Sequence, residues 1–237
     1  MAFFGELYLR STLPFLGAEV TARETAYLAR AFAGVHGPII DVGCGHGRHA
    51  AALRRDGLSV IGLELDPLSL AQRLSGFPAV RADLRSLPFG ASRLNGVYAW
   101  YSTLFIFDDE THGAVLRGLR EALKPGAKLV FHTVPYERLA AAPAARFSTT
   151  LPDGSVLTEE SRFDPLVGRD HGQRSLRLPD GRILSGAYAI RYYRVTELAG
   201  LLEAAGLAIK WIHGDLQGGA LEPTSTDLII GAEGRNG

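Results

Sequence analysis

Three acids and three glycines carry the chemistry that can be read from this 237-residue chain. Asp41 opens the spelling Asp-Val-Gly-Cys-Gly-His-Gly, with Gly43, Gly45 and Gly47 alternating behind it. A glycine has no Cβ, so the backbone can turn sharply there and come close to a bound molecule. Ile39-Ile40-Asp41-Val42 ahead of the turn suits a short buried parallel strand. Ala50-Ala51-Ala52-Leu53 behind it are good helix formers, so a helix opens straight after the last glycine. Strand, glycine turn and helix N-terminus make a small-molecule site at the carboxyl edge of a parallel sheet. Glu64 ends the next apolar run, Leu58 to Leu63. A carboxylate there can accept hydrogen bonds from both hydroxyls of a ribose. Asp83 follows a third short run, from Ala79 to Arg81.

The spacing excludes two common ligand loops. The dinucleotide fingerprint needs its third glycine where Arg48 stands, and the P-loop needs a Gly-Lys-Ser/Thr that is absent. What remains, Asp41-x-Gly43-x-Gly45-x-Gly47, resembles motif I of the class I S-adenosylmethionine (SAM) methyltransferases. Val60-Ile61-Gly62-Leu63-Glu64-Leu65-Asp66-Pro67 resembles their second motif, and Ala82-Asp83-Leu84 matches a third position. The resemblance covers residues 36 to 134 and extends more weakly to both ends. It implies a SAM site drawn from Tyr8, Asp41, Gly43, Cys44, Gly45, Arg48, Glu64, Leu65, Asp83, Leu84, Trp100 and Tyr101. In that site Glu64 takes the ribose, Asp83 the adenine amino group, and the backbone after Asp83 the ring.

Several residues keep two readings. Arg48 either pairs with a carboxylate, the cofactor's included, or is exposed. A positive charge at a helix N-terminus is unfavourable and calls for an anion. Tyr8, in Phe3-Phe4-Gly5-Glu6-Leu7-Tyr8, resembles part of a cover helix and contacts ligand or simply packs. Tyr101, on the loop after the fourth strand, and His132, at the end of the fifth, are the candidate catalytic residues. His132 is either a general base or a core histidine. His46 and His49 lack further ligands around them, so no metal site is assigned. Asn95 stands where many relatives have Asp. The Asp/Asn-Pro-Pro-Tyr motif of base-amino methylation is absent. Cys44 is the single cysteine, and no Pro-Cys nucleophile for pyrimidine C5 methylation exists.

The elements that position these groups follow from pattern. Residues 1 to 34 read as cover helices interrupted by Pro14, with Thr21-Ala22-Arg23-Glu24 resembling a capping box. Residues 35 to 135 read as the SAM-binding α/β core, with Val97 to Tyr101 as a fourth strand. A helix then begins at Asp108-Asp109-Glu110 and stops at Lys124-Pro125-Gly126. Residues 136 to 193 break the rhythm. Leu151-Pro152-Asp153-Gly154 and Leu178-Pro179-Asp180-Gly181 are turn signals between alternating segments, so an antiparallel insertion covering the substrate is expected. Its Arg162, Arg174, Arg177, Arg182, Arg191 and Arg194, with Tyr188, Tyr192 and Tyr193, would suit an anionic or sugar-like substrate. Residues 194 to 233 read as a helix and a strand pair that complete the core, and the tail from Gly234 as disordered.

The expected fold class is α/β: a Rossmann-like, seven-stranded, mostly parallel sheet with an antiparallel last strand and a small antiparallel insertion. Lys plus Arg and Asp plus Glu balance at 25 each, which argues against electrostatic capture of nucleic acid. One cysteine allows no internal disulfide, and no stretch is long and apolar enough to span a membrane. A cytoplasmic, bacterial monomer or homodimer is expected. The resemblance, partly to sugar N-methyltransferases, implies SN2 transfer of a methyl group from SAM to an N or O atom of a small molecule. Two alternatives stay open: a SAM or S-adenosylhomocysteine (SAH) binder without transferase activity, and an RNA or protein methyltransferase. The sequence names neither the acceptor nor the acceptor atom.

Overall fold

The structure is a computed structural model that describes residues 4–234. Phe3 and residues 235–237 lie outside the described residues, whereas Gly234, expected to begin a disordered tail, is the last residue of the last strand and pairs with Leu207. The main sheet has seven strands: β1 (Ile39–Val42), β2 (Val60–Glu64), β3 (Ala79–Arg81), β4 (Leu94–Ala99), β5 (Leu123–Thr133), β10 (Leu207–His213) and β11 (Leu228–Gly234). Their spatial order is β10-β11-β5-β4-β1-β2-β3. The neighbours from β3 across to β5 pair in parallel, and β11 runs antiparallel to both β5 and β10. The expected fold class is therefore found.

Period-two alternation decides what each face of the sheet holds. Ile40, Val42, Val97, Ala99, Leu129 and Phe131 face α5 (Asp109–Ala122) and α7 (Val195–Ala204), and pack with Leu116, Leu119, Leu198 and Leu202. Ile39, Tyr98, Trp100 and Val130 face α2 (Ala18–Ala31) and α3 (Arg48–Arg55), and pack with Tyr27, Leu28, Ala50 and Leu53. Each buried leucine contributes about 2 kcal/mol. By the same parity Asp41 and His132 belong to the α2/α3 face. That face therefore carries polar groups as well as core.

The insertion is a second sheet, with strands β6 (Ala144–Thr150), β7 (Val156–Asp164), β8 (Arg169–Arg177) and β9 (Ile183–Arg191) antiparallel in sequence order. A short helix, α6 (Tyr136–Ala141), leads into it from β5. The two Leu-Pro-Asp-Gly spellings make its outer hairpin turns. Gly154 and Gly181 sit at φ 82° and 88°, where a side chain would be strained. Asp153 and Asp180 each accept from the backbone N–H two residues on, at 2.9 Å. The helix α1 (Glu6–Thr12) packs Leu7 into an apolar cluster with Leu151, Leu157, Leu176 and Leu178 of this sheet.

Two local expectations are corrected. The helix α2 starts at Ala18 with Gly17 as its N-cap, so Thr21 and Glu24 are interior residues and form no capping box. The fourth strand ends at Ala99, not Tyr101, because Tyr101 and Ser102 take left-handed φ of 53° and 60°. Such values are uncommon for non-glycine residues and turn the chain out of the sheet.

Candidate functional site

The three motif glycines all have positive φ: 66° at Gly43, 56° at Gly45 and 85° at Gly47. Their surroundings differ. A Cβ on Gly47 would lie 1.9 Å from the Phe77 ring, and one on Gly43 would lie 2.5 Å from Thr103 Cγ2. A Cβ on Gly45 would meet nothing within 4 Å. Gly43 and Gly47 are thus fixed by the protein's own packing, while Gly45 presents bare backbone to open space. Glu64 holds this loop, its Oε2 accepting from Gly45 N at 2.8 Å. Its Oε1 accepts from Leu65 N and Asp66 N, both at 2.8 Å. The Leu65 side chain itself is half exposed.

Asp41 lies beneath the loop, in register between Gly62 of β2 and Tyr98 of β4. It is 3% exposed, and its Oδ2 has no hydrogen-bond partner among the described residues. Burial pushes its pKa up to about 7, opposed by the nearby Tyr98 hydroxyl and Arg48. The Tyr98 hydroxyl faces this carboxylate without reaching hydrogen-bond geometry and is itself unpaired. Cys44 turns its side chain into the core beside Gly62 and Phe77, and burial pushes its thiol pKa up. Cys44 therefore offers a ligand its backbone rather than its sulfur.

On the far side, Leu84 is buried against the α5 face, and Asp83 is partly exposed with its carboxylate clamped by Arg85. Arg85 Nε lies 3.0 Å from Oδ1 and its terminal nitrogen 2.6 Å from Oδ2. That contact holds the Asp83 pKa below the usual range. The same guanidinium lies over the Phe107 ring at 5.4 Å.

The site's charged centre is a residue the sequence did not single out as functional, Glu24 on α2. It is buried, and its carboxylate collects Arg48, the Tyr101 hydroxyl, and His49 Nε2 at 2.9 Å. Burial alone would raise its pKa, but these three donors outweigh it and hold Glu24 at about 2. Burial lowers His49 to about 4 despite that carboxylate. Arg48 also donates to Thr21 Oγ1 at 3.2 Å and lies over the Tyr101 ring at 5.5 Å. The anion that compensates a guanidinium at the start of α3 is thus supplied by the protein. Thr21 and Glu24, three apart on one face of α2, both serve that one arginine. Tyr8 projects from α1 into the same field. Burial raises its pKa, and Arg48 and Arg174 act against the rise.

Trp100, Tyr101 and His132 form the remaining wall. Trp100 is buried and stacks on His132 with ring centroids 4.8 Å apart, and Tyr101, 41% exposed, meets the same imidazole edge-on at 5.4 Å. His132 Nε2 lies 2.9 Å from Asp227 Oδ1. Glu24 and Asp227, the partners of Tyr101 and His132, carry no motif. Nothing short of the fold signals them. Of the insertion's arginines, Arg174 pairs with Glu159 away from solvent and the buried Arg191 with Asp109 and Glu197, while Arg182 pairs with Asp180 and Arg194 with Glu137 at the surface.

These residues fit an adenosyl sulfonium ligand: bare backbone at Gly45, a carboxylate at the end of β2, and an unsatisfied buried acid below. A family model described as a methyltransferase domain matches residues 39–126. The chain is similar in structure to the CcbJ methyltransferase from Streptomyces caelestis, at 23% identity and TM-score 0.80, covering 91% of this chain and 90% of that one. An S-adenosylmethionine-dependent methyltransferase from Clostridium acetobutylicum is similar at 12% identity and TM-score 0.84, covering 98% and 100%. The sugar N-methyltransferase KedS8 from Streptoalloteichus is similar at 19% identity and TM-score 0.73, covering 98% and 94%. No curated protein matches the chain.

Proposed function

We propose that this chain is a class I SAM-dependent methyltransferase that transfers the cofactor's methyl group to a nitrogen or oxygen atom of a small molecule, a reading supported by the methyltransferase-domain match and the shared fold. The observation that carries the reading is the open face of Gly45, bonded through its own N–H to Glu64. It is the place in the glycine turn where the protein leaves space that any side chain would fill. Glu64 is the ribose acceptor in this reading, Leu65 and Leu84 flank the base, and Asp83 meets its amino group by releasing Arg85. Asp41, Gly43 and Cys44 shape the floor, and Tyr8 and Arg48 close the methionyl end.

When bound, the cofactor supplies an activated methyl on a sulfonium leaving group. The chain's part is to align the acceptor and exclude water. Tyr101, Trp100 and His132 form the acceptor wall, and the second sheet with α1 covers it. A small-molecule acceptor is supported by end-to-end similarity to a sugar N-methyltransferase. It is also supported by the absence of any charge excess that would recruit nucleic acid. No helix of the described residues is long and apolar enough to cross a membrane.

The test is calorimetric titration of SAM and SAH into wild type, Glu64→Gln and Glu64→Ala. Wild type is expected to bind both at micromolar affinity, with Glu64→Ala weaker by tenfold or more. Folded wild type that binds neither ligand would overturn the reading.

A further inference from the structure

The second sheet ends in a bare edge. Its first strand, β6, pairs with β7 alone, and every residue in it but Thr149 is exposed. Just ahead of the strand, the Phe163 N–H donates to the Pro143 carbonyl at 2.7 Å, which sets the phase of the ladder. Ala145, Phe147 and Thr149 therefore bond β7, and Ala144, Arg146, Ser148 and Thr150 direct their N–H and C=O groups outward. No other strand pairs with that side among the described residues.

An open strand edge is a template for another chain, and folds blunt it by shortness, a bulge, a lysine, a proline or a cover. The other edges of this molecule show such devices. β3 is three residues long, and β10 carries Lys210 and a break in register between Ile209 and Trp211. β9 is interrupted by Gly186, and its Leu184 and Tyr188 pack with Leu7 and Tyr8 of α1. β6 has none of these. It runs seven residues without proline, glycine or bulge. Its one charge, Arg146, is drawn sideways to Glu160 on β7, with Nε 3.0 Å from Oε1.

We propose that β6 is the seam of a homodimer, pairing antiparallel with β6 of a second copy so that two four-stranded sheets become one continuous sheet. A second copy is the partner that the strand's own sequence fits. A two-fold axis makes the contact isologous, and all seven residues overlap only when that axis passes beside Phe147. Outward groups then meet outward groups. Arg146 lies opposite the partner's Ser148, and Ala144 opposite the partner's Thr150, so every outward N–H finds a carbonyl. Moving the axis to Arg146 would set arginine against arginine, which is unfavourable. In the full-overlap register Phe147 opposes the partner's Phe147 at a non-hydrogen-bonded position, where facing side chains come closest. Phe147 pairs with Glu159 and Thr149 with Leu157, so Phe147 shares the face of the buried Leu157, yet it is 43% exposed in one copy. The two-fold is perpendicular to the sheet and keeps that face on one side in both copies. Each ring is therefore covered by its mate.

The experiment is sedimentation equilibrium of the full chain, joined to disulfide trapping. Wild type is expected at twice the 25.5 kDa of one chain in the micromolar range. Ser148→Pro removes an outward N–H and leaves the β7 ladder intact. Ser148→Lys sets a lysine against the partner's Arg146, twice in each dimer. Each should weaken dimerisation by about tenfold or more, and Ser148→Glu, which faces the same arginine with an acid, should tighten it. Ala187→Pro makes the matching change on the outer edge of β9 and should leave the dimer as it is in wild type. Under mild oxidation Phe147→Cys chains should join covalently, because non-hydrogen-bonded antiparallel positions hold Cα atoms about 4.5 Å apart. The native Cys44 is buried and does not compete. Wild type that stays monomeric throughout the micromolar range would overturn the proposal. So would a dimer that survives both Ser148→Pro and Ser148→Lys, or one that Ala187→Pro breaks instead. A dimer of Phe147→Cys that does not cross-link would overturn the register.

Discussion

Replacing Asp41 by Asn should stabilise the ligand-free protein, increasingly so as pH rises. The acid is 3% exposed, has one oxygen unpaired, and has its pKa moved by burial from 3.8 to about 7. The folded state therefore holds the Asp41 proton more tightly than the unfolded chain does. Below pH 4 the group is neutral in both states and contributes nothing. Between about pH 4 and 7 the unfolded chain ionises while the folded one does not, so stability falls as pH rises. Above pH 7 the loss is complete. Three pH units at about 1.4 kcal/mol each give about 4 kcal/mol. Asn keeps the size and removes the ionisation. The stability difference between Asp41→Asn and wild type should thus grow by about 4 kcal/mol from pH 4 to pH 7 and then level off. Urea unfolding of both proteins at half-unit pH steps measures it. Taking the difference cancels the opposite slope of His49, which lies in the same pH range. A difference that stays flat across that range would refute the burial argument. So would one that grows toward acid.

The glycines of the turn should separate into two kinds. Gly47→Ala drives a Cβ to 1.9 Å from Phe77 and should destabilise by about 3 kcal/mol or more in thermal melts. Gly45→Ala should cost only about 1 kcal/mol of strain at φ 56°, yet weaken SAH binding at least tenfold by calorimetry. Glu24→Ala should cost about 3–5 kcal/mol at pH 7, because it strands the buried Arg48 guanidinium. The native pKa of Glu24, about 2 against 4.5, means its contribution is full above pH 4.5 and lost as pH falls toward 2. The gap between Glu24→Gln and wild type in urea should therefore close on acidification. Cys44, buried with its pKa raised, should resist iodoacetamide in the folded protein and react once urea unfolds it.

The parts of the site that were legible in the sequence are those whose chemistry is local. A strand, a turn and a helix within a dozen residues must be adjacent, so Asp41, the three glycines and Arg48 could be placed from spacing alone. Glu64 and Asp83 followed because one ends β2 and the other lies two residues past the end of β3, and parallel strands bring their carboxyl ends to one edge. The hairpin turns of the insertion were legible for the same reason, since Asp-Gly supplies both the side-chain acceptor and the positive φ that the turn needs. Tyr101 was placed a strand too long because nothing in Val-Tyr-Ala-Trp-Tyr marks where the pleat stops. The left-handed residue that stops it owes its conformation to its tertiary contacts with Glu24, Arg48 and His132.

Glu24 shows why the remainder was hidden. Thr-x-x-Glu has a strong local meaning at a helix start, and that meaning was the wrong one. The same three-residue spacing inside a helix puts both side chains on one face, and there they reach an arginine 24 residues on from Glu24. Which meaning applies depends on whether the helix begins four residues earlier, and Gly17 with its extended ψ of 178° makes it do so. From that one boundary the buried carboxylate follows, then the fixed Arg48, and then the Tyr101 hydroxyl bonded to that carboxylate. The contact of Asp227 with His132 is hidden by a longer route, 95 residues and two connections through the sheet, because β11 inserts between β10 and β5 rather than at the edge. That insertion puts the start of the antiparallel strand beside the end of β5, where its acid meets the histidine. A last strand added outside β10 would leave His132 without its carboxylate.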